Sequence, residues 1–250
     1  MRFYATLVSY LLSTCALGAD VVKVGVYDFP PYAFISDKTT GITIQMIAAM
    51  NKLQLKYEFI AVPTTAIRRY SDFEKEKFDM MIFESKHWGW EKYPVAASQA
   101  FVTGAEVYVT QAKSGRGQEF FSDFKNKAMI GVLGYHYQFA GFNAEQKYLE
   151  SNFNILQTNS QKKSLELILN NRGEIAVLSK EYLKYHLSHS PKDNNKLLIS
   201  RKFDQIYQHT ILVRQNSTPS ISYINKLLTK IHKKGILKPL WKKYSLEVVN

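Results

Sequence analysis

Strand-like and helix-like segments alternate twice along this chain, and this alternation constrains the fold more than any other feature. Residues 21–27 (VVKVGVY) are a β-branched run stopped by two prolines, an apolar helical face over 42–53 follows, and 57–62 is again strand-like. A helix over 64–75 and a strand over 78–83 complete the first series. Strands that alternate with helices predict a parallel sheet with helices on both faces.

A second series follows a strand-like run at 105–110 and the segment 113–117, which we interpret as a flexible crossing between two lobes. Its predicted strands are 128–133, 154–158, 174–178 and 209–213, and its predicted helices lie within 135–151, 162–170, 182–187 and 220–244. Ligands in such folds bind beyond the carboxyl ends of the strands. The loops after residues 27, 83, 133 and 178 are therefore the predicted location of a binding site.

The N-terminus has the layout of a secretory signal peptide. Arg2 precedes an apolar run over 3–12, and small residues follow up to Ala19. This run is too short to span a bilayer, so we expect cleavage after Gly18 or Ala19 rather than a permanent anchor. The residues before Cys15 also approach a lipoprotein processing site, and lipidation there is an alternative to plain secretion.

The exported chain is expected to lack cysteine, because Cys15 is the one cysteine of the sequence. We therefore predict no disulfide and no thiolate for catalysis or metal binding. No apolar run after the signal peptide is long enough to cross a membrane, so the mature chain is predicted to be soluble.

Basic residues are in excess, with 33 Lys and Arg against 21 Asp and Glu and a formal charge of +12. Either an anionic partner or a solvated basic face would account for this excess. The dense basic stretch at 226–243 has helical spacing, which indicates the exposed side of a helix. Other basic residues are scattered, so nucleic acid is not an expected partner.

Motifs for nucleotide or zinc chemistry are missing from the sequence. The chain has no GxGxxG, GxxxxGK[ST] or HExxH pattern, and its six histidines are not at metal-ligand spacing. We therefore predict no cofactor, no metal site and no catalytic residue.

Short motifs at the strand ends resemble the family-3 extracellular solute-binding proteins, of the polar amino-acid type that serves ABC transporters. Similar segments are 24–26 with 29–32 (the first strand and its aromatic-proline loop), 41–44, 77–82, 98–101, 130–132, 172–177, 211–214 and 227–244. Each fragment is short, but together their order and spacing cover essentially the whole mature chain.

The resemblance implies an α/β fold of the type II periplasmic-binding-protein kind, with two lobes, two hinge crossings and solute trapped in the cleft by hinge closure. We assign 1–19 to the signal peptide, 20–110 with 204–250 to lobe 1, and 111–203 to lobe 2. The implied protein is a periplasmic, non-catalytic monomer that binds a small polar or zwitterionic solute, amino-acid-like or an amine. Its partner would be a membrane permease or a membrane sensor, and the sequence leaves that choice open.

Two charged anchors that the resemblance implies for amino-acid recognition are replaced in this chain. Glu91 stands where the family has an arginine for the α-carboxylate, and Ser179 where it has an aspartate for the α-ammonium group. A carboxylate repels another carboxylate and cannot donate to it at neutral pH. The sequence therefore disfavours a plain L-amino acid, and Glu84, Glu91, Trp88 and Trp90 favour a solute with a cationic or aromatic portion.

Candidate ligand-binding residues in lobe 1 follow the first and third predicted strands. Phe29 stands where the family has the ring that stacks on the ligand, and Tyr32 lies just beyond it; either ring could instead pack in the core. Phe83, Glu84 and Lys86 fill the loop after the third strand. Glu84 would favour a cationic group if it faces the cleft, and would otherwise be a solvated loop charge.

Trp88 and Arg68 are the remaining candidates in this lobe. Aromatic faces in a cleft suit flat rings or cations, although Trp88 could also cover the lobe edge. Arg68 lies early on the predicted helix over 64–75 and would replace the missing anion anchor if it points to the cleft, in which case Arg69 points elsewhere. An exposed helix charge is the alternative for Arg68.

Candidates in lobe 2 are His136 and Tyr137, in the turn after the strand at 128–133, and Ser179, after the strand at 174–178. The family uses this turn to offer backbone N–H groups to an anion. The bulky side chains here either contact the ligand or plug the cleft. A carboxylate near His136 would make its charge respond to pH near neutrality.

An enzyme is the alternative from another functional class, because a few relatives of this fold are periplasmic cyclohexadienyl-type dehydratases. Such chemistry needs a positioned acid and an anchor for substrate carboxylates. Glu84 or His136 would be the acid and Arg68 the anchor, although nothing in the sequence forces these residues together.

Overall fold

A computed structural model of the chain describes residues 18–35, 38–124 and 126–244. The predicted signal peptide, including Cys15, lies outside these residues except for Gly18 and Ala19, which are exposed and directly precede the first strand. Among the described residues, no helix combines the length and the apolar character that a membrane crossing requires.

Lobe 1 contains the first β-α-β series. Its elements are β1 (Asp20–Val26), α1 (Ile42–Leu53), β2 (Tyr57–Pro63), α2 (Arg69–Glu74), β3 (Met80–Glu84) and β4 (Val95–Ala97). β1 pairs in parallel with β2 and with β3, as the alternation of strands and helices predicts. The C-terminal helices α6 (Ile221–Lys233) and α7 (Leu237–Lys243) return to this lobe and pack against α1.

Lobe 2 repeats the same arrangement. Its elements are β6 (Met129–Val132), α3 (Gln146–Asn152), β7 (Ile155–Thr158), α4 (Gln161–Leu169), β8 (Ile175–Ser179) and α5 (Lys180–His189). β6 pairs in parallel with β7 and with β8. The hydroxyls of Ser160 and Ser179 accept backbone N–H groups at the starts of α4 and α5, which satisfies donors that a helix start leaves unpaired.

Two long antiparallel strands, β5 (Val102–Gln111) and β9 (Leu197–Arg214), join the lobes. The strand order is β2-β1-β3-β9-β5-β8-β6-β7, with β4 also paired to β9. β9 pairs with β3 of lobe 1, whereas β5 pairs with β8 of lobe 2 over Glu106–Val109. The chain therefore passes between the lobes inside these two strands.

The segment 113–117, interpreted above as a crossing, is instead a turn beyond the end of β5. The Arg116 side chain donates to the Thr110 hydroxyl and to the Gln111 carbonyl, both at 2.9 Å, and so ties this turn to the strand. The strand predicted at 209–213 is only the last part of β9.

Helix α2 is shorter than the helix predicted over 64–75. Thr64 is buried and donates its hydroxyl to the Asp72 carboxylate at 2.7 Å, and the helix begins only at Arg69. Its buried side chains are Arg69, Asp72 and Phe73, while Ile67 is 52% exposed. The helix therefore buries two charged side chains beside one aromatic ring, and not a purely apolar face.

The larger of two hydrophobic cores extends through both lobes. It joins Phe29, Phe83 and Trp88 of lobe 1 to Tyr135 and Tyr137 of lobe 2. A second, smaller core lies within lobe 2 between its sheet and helices α4 and α5. The two lobes are therefore in direct contact, and the cleft between them is closed along this aromatic junction.

Candidate functional site

The carboxyl ends of β1, β3 and β6 meet where the lobes touch, which is the predicted location of a site. Around a cavity of about 10 Å³ they bring together seven side chains: Tyr27, Phe29, Arg69, Trp88, Glu106, Tyr135 and His136. We call this space the interlobe cavity. It has room for about one water molecule.

Arg69 links the two lobes through its guanidinium, which is almost fully buried. One terminal nitrogen donates to the Ala66 carbonyl of its own lobe at 2.5 Å and to the Gly134 carbonyl of lobe 2 at 3.3 Å. The other terminal nitrogen donates to the Tyr70 hydroxyl at 2.7 Å. The contact with Gly134 makes Arg69 part of the junction rather than of lobe 1 alone.

Glu84, the last residue of β3, supplies the opposite charge. Its Oε1 lies 3.7 Å from Arg69 Nε, and its Oε2 accepts the Trp90 indole N–H at 2.8 Å. Burial raises the pKa of Glu84, against the influence of Arg69 and Trp90. Burial is the largest influence on Arg69 and lowers its pKa, but Glu84 together with the surrounding tyrosines outweighs burial and raises the pKa of the guanidinium. Glu84 is 0% exposed, so its alternative assignment as a solvated loop charge is wrong.

The two neighbouring arginines point in different directions. Arg68 is exposed, which is one of the two alternatives that the sequence left open, whereas Arg69 points into the junction. The other alternative, in which Arg68 faces the cleft and Arg69 points elsewhere, is therefore wrong. Its guanidinium carbon lies 5.0 Å from the Tyr27 ring centre and 4.6 Å from that of Tyr70, and these faces stabilise a cation that has been removed from water.

Two further hydrogen bonds cross the junction. The Tyr135 hydroxyl of lobe 2 donates to the Asp28 carbonyl at 3.1 Å, and its ring meets Phe29 edge-on with centroids 5.6 Å apart. The Gln205 side chain on β9 accepts the Trp88 indole N–H at 3.1 Å and donates its amide to the His136 carbonyl of lobe 2 at 2.5 Å. The contacts of Tyr135 and His136 with lobe 1 break if the lobes separate.

Glu106 and His136 line the interlobe cavity in buried environments. Glu106 accepts the Gln205 amide at 2.7 Å, and burial together with nearby Asp204 raises its pKa well above the usual range. Burial and then Arg69 lower the pKa of His136 to about 3. A cation, not a carboxylate, is therefore the charged neighbour of His136, and this imidazole is neutral at physiological pH.

Other predicted site residues lie away from this cavity. Tyr32 and Phe83 stack on each other with centroids 4.4 Å apart inside lobe 1, and Phe83 lies in a β-bulge with a φ of 64°. The Tyr137 hydroxyl accepts the Val132 N–H at 2.6 Å, so this ring folds back onto β6. Lys86 is exposed.

Ser179 is fully buried at the end of β8. Its hydroxyl accepts the Tyr182 N–H at the start of α5 and donates to Gln161 Oε1 at 3.0 Å. Glu91 is exposed and pairs with His87 at 3.1 Å. Neither of the two positions that the family resemblance singled out supplies a charge to the interlobe cavity.

Of the predicted ligand-binding residues, Phe29, Trp88 and His136 line the interlobe cavity. Its other lining residues were not among those selected from the sequence: Tyr27, Arg69, Glu106 and Tyr135. Glu106 could have been selected from the sequence, because it is the one acid in the otherwise uncharged strand VTGAEVYVTQ. No feature of the sequence distinguishes Arg69 from its neighbour Arg68 as the residue that enters the junction.

The residues proposed for the dehydratase alternative are not assembled into a site. Arg68 is exposed, while Glu84 is enclosed by Arg69 and Trp90. Within the described ranges, no group of three His, Cys, Asp or Glu side chains is close enough to hold a metal ion.

A larger groove opens beside the interlobe cavity, with a volume of about 900 Å³. One wall comes from segments 66–70 and 87–93 of lobe 1, and the other from segments 133–136 and 141–146 of lobe 2. We call it the outer groove. His136 borders both spaces, so the groove leads directly to the junction.

Glu181, on the first turn of α5, is a second buried acid near the hinge strands. Its carboxylate accepts the Ala105 N–H at 3.5 Å, and it acts electrostatically on Tyr32 and Tyr207. Burial raises the pKa of Glu181 to about 7.

The Glu181→Gln variant is expected to change the pH dependence of stability. The pKa of the Glu181 carboxyl is higher in the folded than in the unfolded chain, so the folded chain binds more protons between about pH 4.5 and about pH 7. The free energy of unfolding therefore falls as pH rises through this range. This loss is on the order of 3 kcal/mol at most, and the variant should not show it. Urea unfolding at pH 5 and pH 8 checks this, with the exposed Glu58→Gln as control. Equal pH dependence in wild type and Glu181→Gln would contradict it.

Comparison with known proteins identifies the fold. Similar solved structures include a substrate-binding protein of an ABC uptake transporter from Streptococcus pneumoniae with bound histidine (TM-score 0.72, 18% identity, 90% of this chain and 92% of that chain). A second is the GluR0 ligand-binding core with L-glutamate (TM-score 0.70, 18% identity, 90% of this chain and 98% of that chain). A third is a mutant of ArgBP from T. maritima (TM-score 0.69, 18% identity, 90% of this chain and 94% of that chain). A search of curated proteins found no match. At this identity the likeness shows the fold, and the predicted two-lobed type II architecture is confirmed.

The sequence itself matches a family model over residues 22–247, nearly its whole length. The model describes bacterial extracellular solute-binding proteins, family 3. The predicted family is therefore confirmed, and this chain belongs to the family-3 bacterial extracellular solute-binding proteins.

Proposed function

We propose that this protein closes its two lobes on a small zwitterionic solute, amino-acid-like or an amine, and presents it to a membrane permease or sensor. The observation that carries the proposal is that Arg69 and Glu106, a buried cation and a buried acid, line the same cavity between the lobes. A guanidinium forms strong charge-assisted hydrogen bonds with a carboxylate. Burial and Asp204 raise the pKa of Glu106, and an ammonium group of the solute beside it favours the ionised carboxyl and forms such a bond with it.

Solute entry requires the lobes to separate. The interlobe cavity of about 10 Å³ is far below the roughly 300–1,000 Å³ of typical ligand sites. Bending within β5 and β9 would withdraw Tyr135 and His136 from Phe29 and Trp88. It would also release the N–H group of Arg69 that donates to Gly134. We propose that the lobes are 20–110 with 204–250 and 111–203, as the sequence indicates, with the hinge inside these strands.

The solute class follows from the charges at the junction and agrees with what similar proteins bind. The structure from Streptococcus pneumoniae holds histidine and the GluR0 core holds L-glutamate. In this chain Glu91 and Ser179 do not supply the two anchors, so we propose that Arg69 and Glu106 do. A monomer exported to the periplasm through the leader 1–19 is the form in which we expect it to act.

A ligand screen tests this function. Native mass spectrometry of the purified protein, followed by thermal shift with amino acids, amines, peptides and organic acids, should find a zwitterion or an amine that stabilises the fold. A solute at one hundred times its Kd stabilises by about 2.7 kcal/mol. Glu106→Gln should weaken its binding about tenfold, whereas Glu58→Gln should not.

Two results would contradict the proposal: stabilisation by dicarboxylates alone, or no binding to any member of the panel. Incubation with prephenate or arogenate separates binding from catalysis. We expect no product, and turnover at enzyme-like rates would overturn the binding function.

A further inference from the structure

We infer that the bound solute extends from the junction into the outer groove and that it is a short peptide rather than a single amino acid. This inference rests on the proposed function and narrows it. It follows from where the closed protein leaves space and from the groups that line that space.

The junction itself has little room for solute when the lobes are closed. The Trp88 and Tyr207 rings meet edge-on with centroids 4.7 Å apart, and Phe29 and Tyr135 meet in the same way at 5.6 Å. The terminal nitrogens of Arg69 already donate to protein acceptors, and its Nε faces Glu84. Only a small polar end group, in place of one of these contacts, would fit here after closure.

The outer groove provides the space that the junction lacks. Its volume of about 900 Å³ is near the upper end of the range for sites that enclose drug-sized ligands. Because the two lobes each provide one wall, a molecule lying in the groove contacts both and would stabilise closure. A solute that reaches His136 from the groove lies next to Arg69, whose terminal nitrogen is 3.5 Å from the imidazole Nδ1.

The groups along the groove match the parts of a peptide. Apolar surface comes from Ile67 and Tyr93 of lobe 1 and from Phe142 of lobe 2, and it suits an apolar side chain. The side-chain amides of Asn143 and Gln146 can exchange hydrogen bonds with peptide groups.

Charged side chains line both walls of the groove. Glu91 and Lys92 lie on the lobe 1 wall, where Glu91 pairs with His87, and Glu145 lies on the lobe 2 wall; all three charged side chains are exposed. An ammonium group pairs with a carboxylate, so Lys92 suits a carboxylate and Glu145 an ammonium group on the part of the peptide that lies in the groove, while Arg69 and Glu106 bind the polar end that enters the junction. A free amino acid is too small to reach the junction and also fill a groove of about 900 Å³.

The test compares peptides with amino acids on the full mature chain. The probes are a tripeptide mixture with free termini and the twenty free amino acids, examined by native mass spectrometry, with Kd values from calorimetry. We expect at least one tripeptide to bind ten times more tightly than any free amino acid. Lys92→Gln and Glu145→Gln should each weaken it about fivefold, while the exposed Lys52→Gln and Glu58→Gln should not.

Three possible results distinguish a failure of the peptide inference from a failure of the proposed solute-binding function. If a free amino acid or an amine binds best and Lys92→Gln and Glu145→Gln behave as wild type, the inference is wrong and the proposed function stands. If tripeptides bind best but both groove variants leave Kd unchanged, the groove is not their site and the inference is again wrong. If none of the probes and no member of the wider solute panel binds, both fail.

Discussion

Replacing Arg69 with methionine is expected to lower the free energy of unfolding by about 3–5 kcal/mol, the cost of removing one partner of a buried ion pair. Glu84 is 0% exposed and has no other cationic side chain within ion-pair distance among the described residues. The variant must therefore bury this carboxylate unpaired or bind a proton. It also leaves the Gly134 carbonyl without its donor from lobe 1. Urea unfolding of the two proteins measures the difference.

A double-mutant cycle shows whether the pair itself is responsible. Glu84→Gln should also destabilise, and Arg69→Met combined with Glu84→Gln should cost clearly less than the sum of the single changes, because neither charge then remains alone. Arg68→Met is the matched control, since Arg68 is exposed and surface changes usually stay within about 0.5 kcal/mol. Equal effects at the two arginines would contradict the buried position of Arg69.

Gly134→Ala is expected to force the lobes apart. A Cβ at this position would lie 2.9 Å from the Ala66 carbonyl carbon and from the Ile67 nitrogen, and these are backbone atoms of the opposite lobe that cannot rotate away. Overpacking of this kind costs about 1–3 kcal/mol, and here separation of the lobes relieves it. We expect a shift towards open forms, weaker solute binding and little change in the folding of either lobe.

Gly141→Ala is a matched control for Gly134→Ala. Both glycines have positive φ, 82° and 61°, but nothing lies within 4 Å of a Cβ added at Gly141. The control therefore carries the left-handed backbone cost of about 1–2 kcal/mol without the clash. Spin labels on Lys75→Cys of lobe 1 and Lys163→Cys of lobe 2, two exposed positions, report the separation. Similar distances in both glycine variants would show that the clash does not control closure.

The regular elements follow from local periodicity, and this part of the fold was predictable. Helix α1 covers the predicted residues 42–53, because its apolar spacing matches a helix that buries Ile42, Met46 and Met50. The first part of β9 was not predicted. It carries Arg201, Lys202 and Asp204, and it is a strand because it pairs with β5, far away in sequence.

The site was less predictable than the fold, because its geometry depends on contacts between distant segments. Which of two adjacent arginines enters the junction depends on the residue at which α2 begins and on a counter-charge at Glu84. That carboxylate is buried because Trp90 and Arg69 enclose it. The sequence selected Phe29 and Trp88, which line the interlobe cavity, and Glu84 beside it, but it did not select Arg69, the partner of Glu84.

The separation of the lobes, measured with and without solute, shows whether the two lobes close on it. The same labels at Lys75→Cys and Lys163→Cys, in the otherwise wild-type mature chain, are read by pulsed electron resonance before and after saturation with the solute found in the screen. Closure on the solute predicts a mixture that includes long label-to-label distances without solute and a single short distance with it. An unchanged distance distribution at saturation would contradict closure of the two lobes on the solute.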